Sequence, residues 1–206
     1  MEVSGAIFFV MELCTGGDLF ERVAARRRFG ERDAARAARD VVAGLEALHG
    51  RGILHLDIKP ENILYSSQGD DAVLKITDFG MSRYDDRVTR RLRGTVGYVA
   101  PEIVAATLAK RPPLYTCACD AFALGVVLFV LLVGYAPFFG DGDDDCLRKI
   151  LHGSYTMRPE DWERVSPGGV AVVTGLLATD PTARLSVEAL ARDAWLAGPP
   201  AAADAP

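Results

Sequence analysis

One polar segment of the chain, His55-Leu56-Asp57-Ile58-Lys59-Pro60-Glu61-Asn62, has residue types and spacing that suit phosphoryl transfer. That chemistry needs a carboxylate that orients an attacking hydroxyl and accepts its proton, a cation near the moving phosphate, and oxygen ligands for Mg²⁺. Asp57 and Lys59 are two residues apart, so their side chains point the same way in an extended loop. Asp57, Lys59 and Asn62 are therefore the candidate catalytic residues.

Two shorter motifs follow this segment: Asp78-Phe79-Gly80 and Ala100-Pro101-Glu102. The segment itself matches the signature H-R-D-x-x-x-x-N except at the arginine, which is Leu56 here. Each short motif alone arises by chance in many chains, and single Asp or Asn residues often only cap loops. The three motifs in this order resemble the eukaryotic protein kinases.

The resemblance covers about residues 7–196. In detail it is similar to the calcium/calmodulin-dependent kinases, as in the stretches Gly94-Thr95 and Gly134-Tyr135-Ala136-Pro137-Phe138. It implies that ATP and Mg²⁺ are the cofactors and that Asp57 is the catalytic base. Lys59 would be the phosphate-side cation, and its position two residues after the base resembles serine/threonine kinases.

The resemblance also implies a nucleotide site. Asn62 and Asp78 would bind Mg²⁺. The expected adenine contacts are the Met11 side chain, the backbone of Glu12 and Cys14, and an apolar floor at Leu64.

A protein substrate with basic residues near its target Ser or Thr is the implied partner. Asp18 and Glu61 resemble the acidic residues that receive such basic side chains, although each is equally readable as a helix cap or a surface charge. Thr95 is assigned with them to substrate binding. Calmodulin is a possible partner.

Four residues resemble the framework of the family. Asp120 would hold the backbone of the catalytic loop, and Arg184 would pair with Glu102. His55 is assigned to the framework rather than to catalysis because Asp57 already fills the role of base. We assign no role to His49 or His152.

Leu56 is a first departure from the family pattern. An arginine at that position usually meets a phosphate on the activation loop through charge-assisted hydrogen bonds, which leucine cannot make. The variant resembles the myosin-light-chain and death-associated kinases. We therefore expect activity that does not depend on phosphorylation of Thr89 or Thr95.

The second departure concerns the start of the chain. We expect a mainly α fold, a kinase-like C-terminal lobe with short β-hairpins and with the N-terminal lobe missing, in which residues 1–197 form a partial kinase domain. Residues 198–206 would be a disordered Pro/Ala tail. Without the glycine-rich loop and the strand lysine, activity should be impaired. The alternatives are a non-catalytic, pseudokinase-like binding module and a truncated gene product whose true start lies upstream.

Composition narrows the class of protein. Half of the 206 residues are apolar and the net charge is −5, which favours one well-buried domain and gives no reason to expect nucleic-acid binding. The spacing of the four cysteines suits neither a metal site nor a secreted disulfide framework. The apolar run 121–133 is too short to cross a membrane and predicts a buried helix. With no signal-peptide pattern, these features favour a cytoplasmic protein.

Several elements must position the candidate residues. Apolar periodicity predicts a strand over 7–11, a helix capped by Asp18 that ends near Arg27, and a long amphipathic helix over 31–50. A hairpin of strands 63–65 and 73–77 would deliver Asp78 beside Asn62. A loop is expected over 80–102, and helices over 120–133, 146–151, 168–177 and 186–196, with the first of these ended at Pro137. The acidic turn 140–145 lacks the calcium-loop pattern.

Overall fold

A computed structural model describes residues 10–69, 71–84 and 94–198, together with the backbone of residues 2–3 and 6–7. This part of the chain contains eight α-helices. They are α1 (Leu19–Arg26), α2 (Glu31–His49), α3 (Pro101–Leu108), α4 (Cys117–Val133), α5 (Asp143–Leu151), α6 (Pro159–Trp162), α7 (Pro167–Leu176) and α8 (Val187–Leu190). Short 3₁₀ turns lie at Pro60–Asn62, Phe79–Met81 and Ala194–Ala197.

The strands of the described residues form three antiparallel pairs. They are β1 (Glu2–Val3) with β2 (Ala6–Ile7), β3 (Ile53–Leu54) with β6 (Arg83–Tyr84), and β4 (Ile63–Tyr65) with β5 (Leu74–Ile76). In the last pair Ile63 lies opposite Ile76 and Tyr65 opposite Leu74. The predicted hairpin is therefore correct, and the helix-rich fold with short strands matches that part of the expected fold class.

The core surrounds α4. Nearly every side chain of this helix after Ala118 is buried, as expected of a helix that is apolar on all sides. Its glycine allows close contact with α7, because a Cβ at Gly125 would lie 2.8 Å from the Cβ of Leu176. The predicted buried helix is confirmed, and in the described part of the chain no helix has the length and apolar character needed to cross a membrane.

Helix ends follow local capping chemistry. Asp18 caps α1 by accepting a hydrogen bond from the Glu21 amide at 2.7 Å, as predicted. The last residue of the core helix is Val133, as predicted, but Pro137 is not what ends it. The C-cap is Gly134, whose φ of 84° is a left-handed conformation that favours glycine.

Other predicted boundaries also need correction. Val10 and Met11 are not in a strand, and Phe8 and Phe9 of that predicted strand lie outside the described residues, as do the arginine-rich residues 85–93 and the tail 199–206. The expected loop over 80–102 contains β6 and the start of α3. The helix expected over 186–196 is interrupted, because Asp193 caps a separate turn through the Trp195 amide.

Candidate active site

The catalytic loop is anchored to the core helix α4. Asp120 is fully buried, and its carboxylate accepts hydrogen bonds from the backbone amides of His55 at 2.9 Å and Leu56 at 2.7 Å. Charge-assisted bonds of this kind are about twice as strong as neutral ones. The aspartate therefore fixes the backbone immediately before Asp57.

His49 is a residue that the sequence analysis missed. Its Nε2 lies 2.9 Å from the Asp120 carboxylate, and its side chain is only 3% exposed. Burial opposes protonation of the ring, but the hydrogen bond and charge of Asp120 raise the pKa of His49 to about 10. The ring is therefore charged at neutral pH. Its position at the end of α2 was predictable, but nothing in the sequence indicates which carboxylate it meets.

Asp57 lies at the centre of a connected group of polar side chains. The Thr95 hydroxyl donates to Asp57 Oδ1 at 2.7 Å, and Lys59 Nζ lies 3.0 Å from Oδ2. Lys59 also donates to the Thr95 hydroxyl at 2.8 Å. Asn62 Nδ2 donates to Oδ2 at 2.9 Å and to the Asp57 carbonyl at 2.8 Å. The structure thus brings together all three predicted catalytic residues and Thr95.

The donors around Asp57 decide its charge. Burial favours the neutral acid, but the hydrogen bonds from Thr95 and Lys59 and the charge of Lys59 hold the pKa of Asp57 below its ordinary value. The carboxylate is therefore ionised at neutral pH and able to accept a proton.

His55 contacts backbone through both ring nitrogens. Nε2 lies 3.0 Å from the Thr77 carbonyl oxygen, and Nδ1 accepts from the Asp57 amide at 3.3 Å. The ring also meets Phe79 edge to face at a centroid distance of 5.3 Å. These contacts join the catalytic loop to the Asp78-Phe79-Gly80 motif, as a framework residue would.

A backbone hydrogen bond connects the segments that contain the two expected metal ligands, Asn62 and Asp78. The Thr77 amide donates to the Asn62 carbonyl at 2.9 Å, so the hairpin carries Asp78 to the Asn62 side of the loop. Asp78 is exposed in a left-handed conformation, with Oδ1 accepting from the Gly80 amide. The Asn62 amide group points its nitrogen at Asp57, which leaves its oxygen as a potential ligand. An amide and a carboxylate oxygen fit Mg²⁺, which binds few protein ligands together with water and phosphate.

Three of the expected adenine contacts precede a segment that pairs with β4, the strand that contains the fourth, Leu64. Segment 15–17 pairs with that strand, since the Gly16 amide donates to the Tyr65 carbonyl at 3.0 Å. This pairing leads Cys14, which is half-buried, toward the strand that contains Leu64. Met11 is 65% exposed. Glu12 is exposed and pairs with Lys75 at 3.3 Å.

The residues assigned to substrate binding lie in different settings. The Asp18 carboxylate is used in capping α1, and its backbone forms a bridge with Leu64. Glu61 is exposed. Of these three, only Thr95 contacts Asp57 directly.

Leu56 is buried where the family signature has its arginine. It has a φ of 67°, a left-handed conformation that is uncommon for leucine, and lines a small, mostly apolar pocket together with Tyr98 and Ile103. A charge in this pocket would be costly without a partner. The aliphatic side chain therefore matches its surroundings.

Arg184 is the partner of Glu102, as predicted. The buried guanidinium makes two parallel contacts with the carboxylate, at 2.8 Å and 2.7 Å, and also donates to the carbonyls of Ala118 and Ala178. This pair ties the start of α3 to the loop before α8.

Comparisons with known proteins agree with this geometry. The protein kinase domain family matches residues 1–196. The chain is 36% identical over 193 residues to calcium/calmodulin-dependent protein kinase type 1 of Caenorhabditis elegans, covering 93% of this chain and 54% of that protein. It is 40% identical over 199 residues to human serine/threonine-protein kinase H1, covering 95% and 46%. It is 37% identical over 198 residues to calcium-dependent protein kinase 22 of Oryza sativa subsp. japonica, covering 95% and 33%.

The chain therefore belongs to the protein kinase domain family, and the resemblance inferred from its motifs is confirmed. It spans about half the length of these relatives or less.

Proposed function

We propose that this chain carries the catalytic centre of a serine/threonine protein kinase, which transfers the γ-phosphate of ATP to a protein Ser or Thr hydroxyl. The observation that carries the proposal is the ionised, buried Asp57 held by Thr95, Lys59 and Asn62. A carboxylate with this support suits a base that orients a hydroxyl and receives its proton.

Each side chain has a distinct part in this proposal. Asp57 accepts the hydroxyl proton as the hydroxyl oxygen bonds to the γ-phosphorus and the bond from that phosphorus to ADP breaks, with ADP as the leaving group. Lys59, which contacts both Asp57 and Thr95, offsets negative charge near the transferred group. Asn62 keeps the Asp57 carboxylate oriented through its amide nitrogen.

We assign nucleotide and metal binding to the Asn62–Asp78 side of the loop. Asn62 and Asp78 would hold Mg²⁺, and Met11, Glu12, Cys14 and Leu64 would hold the adenine of ATP. The metal supplies charge neutralisation of the phosphates when it is bound. The hard oxygen donors of Asn62 and Asp78 support this assignment.

The substrate proposal rests on charge. Glu61 is exposed close to the catalytic loop and is available to a basic substrate side chain. Asp18 is assigned the same role, although its carboxylate also caps α1.

We propose calmodulin as a regulator because one relative is a calcium/calmodulin-dependent protein kinase. A reducing, cytoplasmic location suits four cysteines that are all free.

We expect slow turnover from the 206-residue chain alone. Its sequence contains no G-x-G-x-x-G segment to cover the phosphates. The loss of one preorganised contact at a reacting centre typically costs about 10²–10³ in rate. The second candidate function is a pseudokinase-like binding module, which the same absence favours.

Phosphate transfer tests the proposal. The chain is incubated with Mg²⁺ and γ-labelled ATP and a basic peptide containing one serine, beside an Asp57→Asn variant and an Asp71→Asn control. We expect slow incorporation that Asp57→Asn reduces by about 10²–10⁴-fold, the usual contribution of a general base. Asp71 is exposed in the β4–β5 turn, so its variant should match the unaltered chain.

Incorporation that is equal in the Asp57→Asn variant would contradict the role given to Asp57. A folded chain with neither incorporation nor nucleotide binding would favour the binding module instead.

A further inference from the structure

A second concave site lies away from the catalytic loop. A cavity of about 260 Å³ opens between α1, α2 and the β4–β5 hairpin. None of the residues that line it takes part in the hydrogen bonds and ion pair that surround Asp57. We call it the arginine groove, after Arg22 and Arg26 on α1 and Arg36 on α2.

The three arginines differ in how far their charge is already used. The Arg22 guanidinium lies over the Tyr65 ring, 3.6 Å from its centroid. Arg26 pairs with Asp33 at 3.3 Å, with both side chains more than half exposed. Arg36 is exposed on α2 and makes no ion pair with any of the described residues. Arg22 and Arg36 are therefore available to an anion.

Part of the floor of the groove is apolar. Phe29, Tyr65 and Leu74 are all less than a tenth exposed, and the small residues Ala37 and Ala72 leave the space above them open. An aliphatic side chain could rest on this floor while polar groups reach the arginines.

The local charge is opposite to that of the whole protein. Residues 22–40 contain seven arginines and three carboxylates, in a chain whose net charge is −5. One of those carboxylates, Glu31, is buried and accepts hydrogen bonds from Ser166 and Trp195. The surface around the groove is consequently a small basic patch on an acidic molecule, a contrast that steers acidic partners to one place.

We propose that the arginine groove binds an acidic peptide segment of a partner protein, with carboxylates on Arg22 and Arg36 and one apolar side chain over Leu74 and Ala72. Guanidinium groups match carboxylates in a two-pronged geometry. The volume is below the ~300–1,000 Å³ typical of small-molecule pockets and suits one or two side chains.

The carboxylates that line the groove disfavour an anion whose charge density is higher than that of a carboxylate. Asp33 and Asp40 line the same groove and repel a phosphate dianion more strongly than a single carboxylate. A long nucleic acid would also meet the net negative charge of the rest of the protein. The proposal goes beyond phosphoryl transfer, and its test needs no turnover.

Peptide binding is measured by fluorescence polarisation with the 206-residue chain. The probe is a fluorescein-labelled peptide with one leucine followed by five glutamates, and the reference peptide has glutamines in their place. The test variant is Arg22→Glu/Arg36→Glu. The matched control reverses two exposed arginines elsewhere, Arg111→Glu/Arg164→Glu.

We expect the glutamate peptide to bind and the glutamine peptide to bind at least about tenfold more weakly, because the charged contacts are lost. The test variant should lose about tenfold or more in affinity and most of the salt dependence, whereas the control should keep both. Melting temperatures establish that each variant folds. If the double reversal does not fold, Arg36→Gln provides the same comparison with a smaller loss.

Equal binding by the unaltered chain and the test variant would overturn the proposal. So would no binding of the glutamate peptide at low salt, equal binding of the two peptides, or tighter binding of a single-stranded oligonucleotide than of the glutamate peptide.

Discussion

The environment of Asp57 shows how a buried carboxylate remains charged. Desolvation favours the neutral acid, and three neighbouring side chains oppose it with hydrogen bonds and one positive charge. The Thr95 hydroxyl makes two hydrogen bonds: it donates one to Asp57 and accepts one from Lys59. A change at Thr95 therefore alters both charged groups.

We predict that a negative charge at Thr95 lowers activity instead of raising it. In Thr95→Glu a second carboxylate lies beside Asp57, takes Lys59 as its partner and favours protonation of Asp57. Phosphate incorporation should fall by about 10²-fold, the usual effect of losing one preorganised contact at a reacting centre. Thr95→Ser keeps the hydroxyl and is the control.

A charge at Thr89 should leave incorporation unchanged, because Leu56 cannot bind it, although Thr89 itself lies outside the described residues. A higher rate in either glutamate variant would show that Leu56 does not remove the dependence on activation-loop charge.

His49 gives a pH-dependent prediction. Its pKa is raised from 6.5 to about 10 in the folded protein, so its contribution to stability is fully present below pH 6.5 and is lost as pH rises toward 10. His49→Gln keeps a donor to Asp120 but removes the charge. We expect it to lower the free energy of unfolding at pH 7 by about 1–2 kcal/mol.

The difference between the unaltered chain and His49→Gln should narrow as pH rises from 7 to 10, measured by urea unfolding. A matched change at the exposed, unassigned His152, His152→Gln, should show no such pH trend. If the difference in the free energy of unfolding between the unaltered chain and His49→Gln stays constant or widens with pH, the His49 ring is neutral in the folded protein.

The site residues illustrate which parts of a centre a sequence predicts. Asp57, Lys59 and Asn62 were found because their spacing within one segment already places them together. Thr95 contacts them from 38 residues along the chain, and only the resemblance indicated it. His49 was missed because its role depends on Asp120, 71 residues away, and pairing over that distance leaves no local pattern.

Among the elements, helix α2 is held at both ends by buried ionic groups. His49 at its C-terminus meets Asp120 of α4. Glu31 at its N-terminus accepts from the Ser166 amide at 2.9 Å, the Ser166 hydroxyl at 2.6 Å and the Trp195 indole at 2.6 Å. The helix thereby connects the catalytic loop with α7 and the last turn of the described chain.

We predict that Glu31 is a major stabilising residue of this connection. Glu31→Ala removes the carboxylate that accepts hydrogen bonds from the Ser166 hydroxyl, the Ser166 amide and the Trp195 indole. The indole N–H then stays buried without an acceptor. The free energy of unfolding should fall by about 2–4 kcal/mol. Glu46→Ala on the exposed face of the same helix is the control and should change it by less than about 0.5 kcal/mol. A loss at Glu31 no larger than the control's would mean that water replaces the carboxylate.

Element boundaries were predictable where local chemistry decides them. The cap at Asp18, the amphipathic α2 and the β4–β5 hairpin follow from patterns within a few residues. The β3–β6 pair was missed because its strands of two residues each are 30 residues apart and have no alternation to detect. Val10 and Met11 were wrongly placed in a strand, because β propensity alone does not supply a partner strand.

At the scale of the whole molecule, α4 connects the proposed chemistry to the core. Asp120 on one side of this helix holds the catalytic loop, and Ala118 near its start accepts from Arg184, which binds Glu102. The motifs found in the sequence are thus joined through one buried helix. Protein interiors are close-packed and resist small displacements, so the catalytic loop should keep its geometry without a bound ligand.

The binding of Mg·ATP tests most directly whether this framework presents a kinase centre. ATP is titrated by calorimetry into the folded 206-residue chain with Mg²⁺, with EDTA in place of Mg²⁺, and into the variants Asp78→Ala and Asp71→Ala. We expect binding that requires Mg²⁺, is preserved in Asp71→Ala, and is weakened at least about tenfold in Asp78→Ala, because a charged contact contributes about 1.5–3 kcal/mol. Binding unaffected by EDTA and by Asp78→Ala, or no binding by the folded chain, would contradict the assignment of Asp78 and of a nucleotide site to this chain.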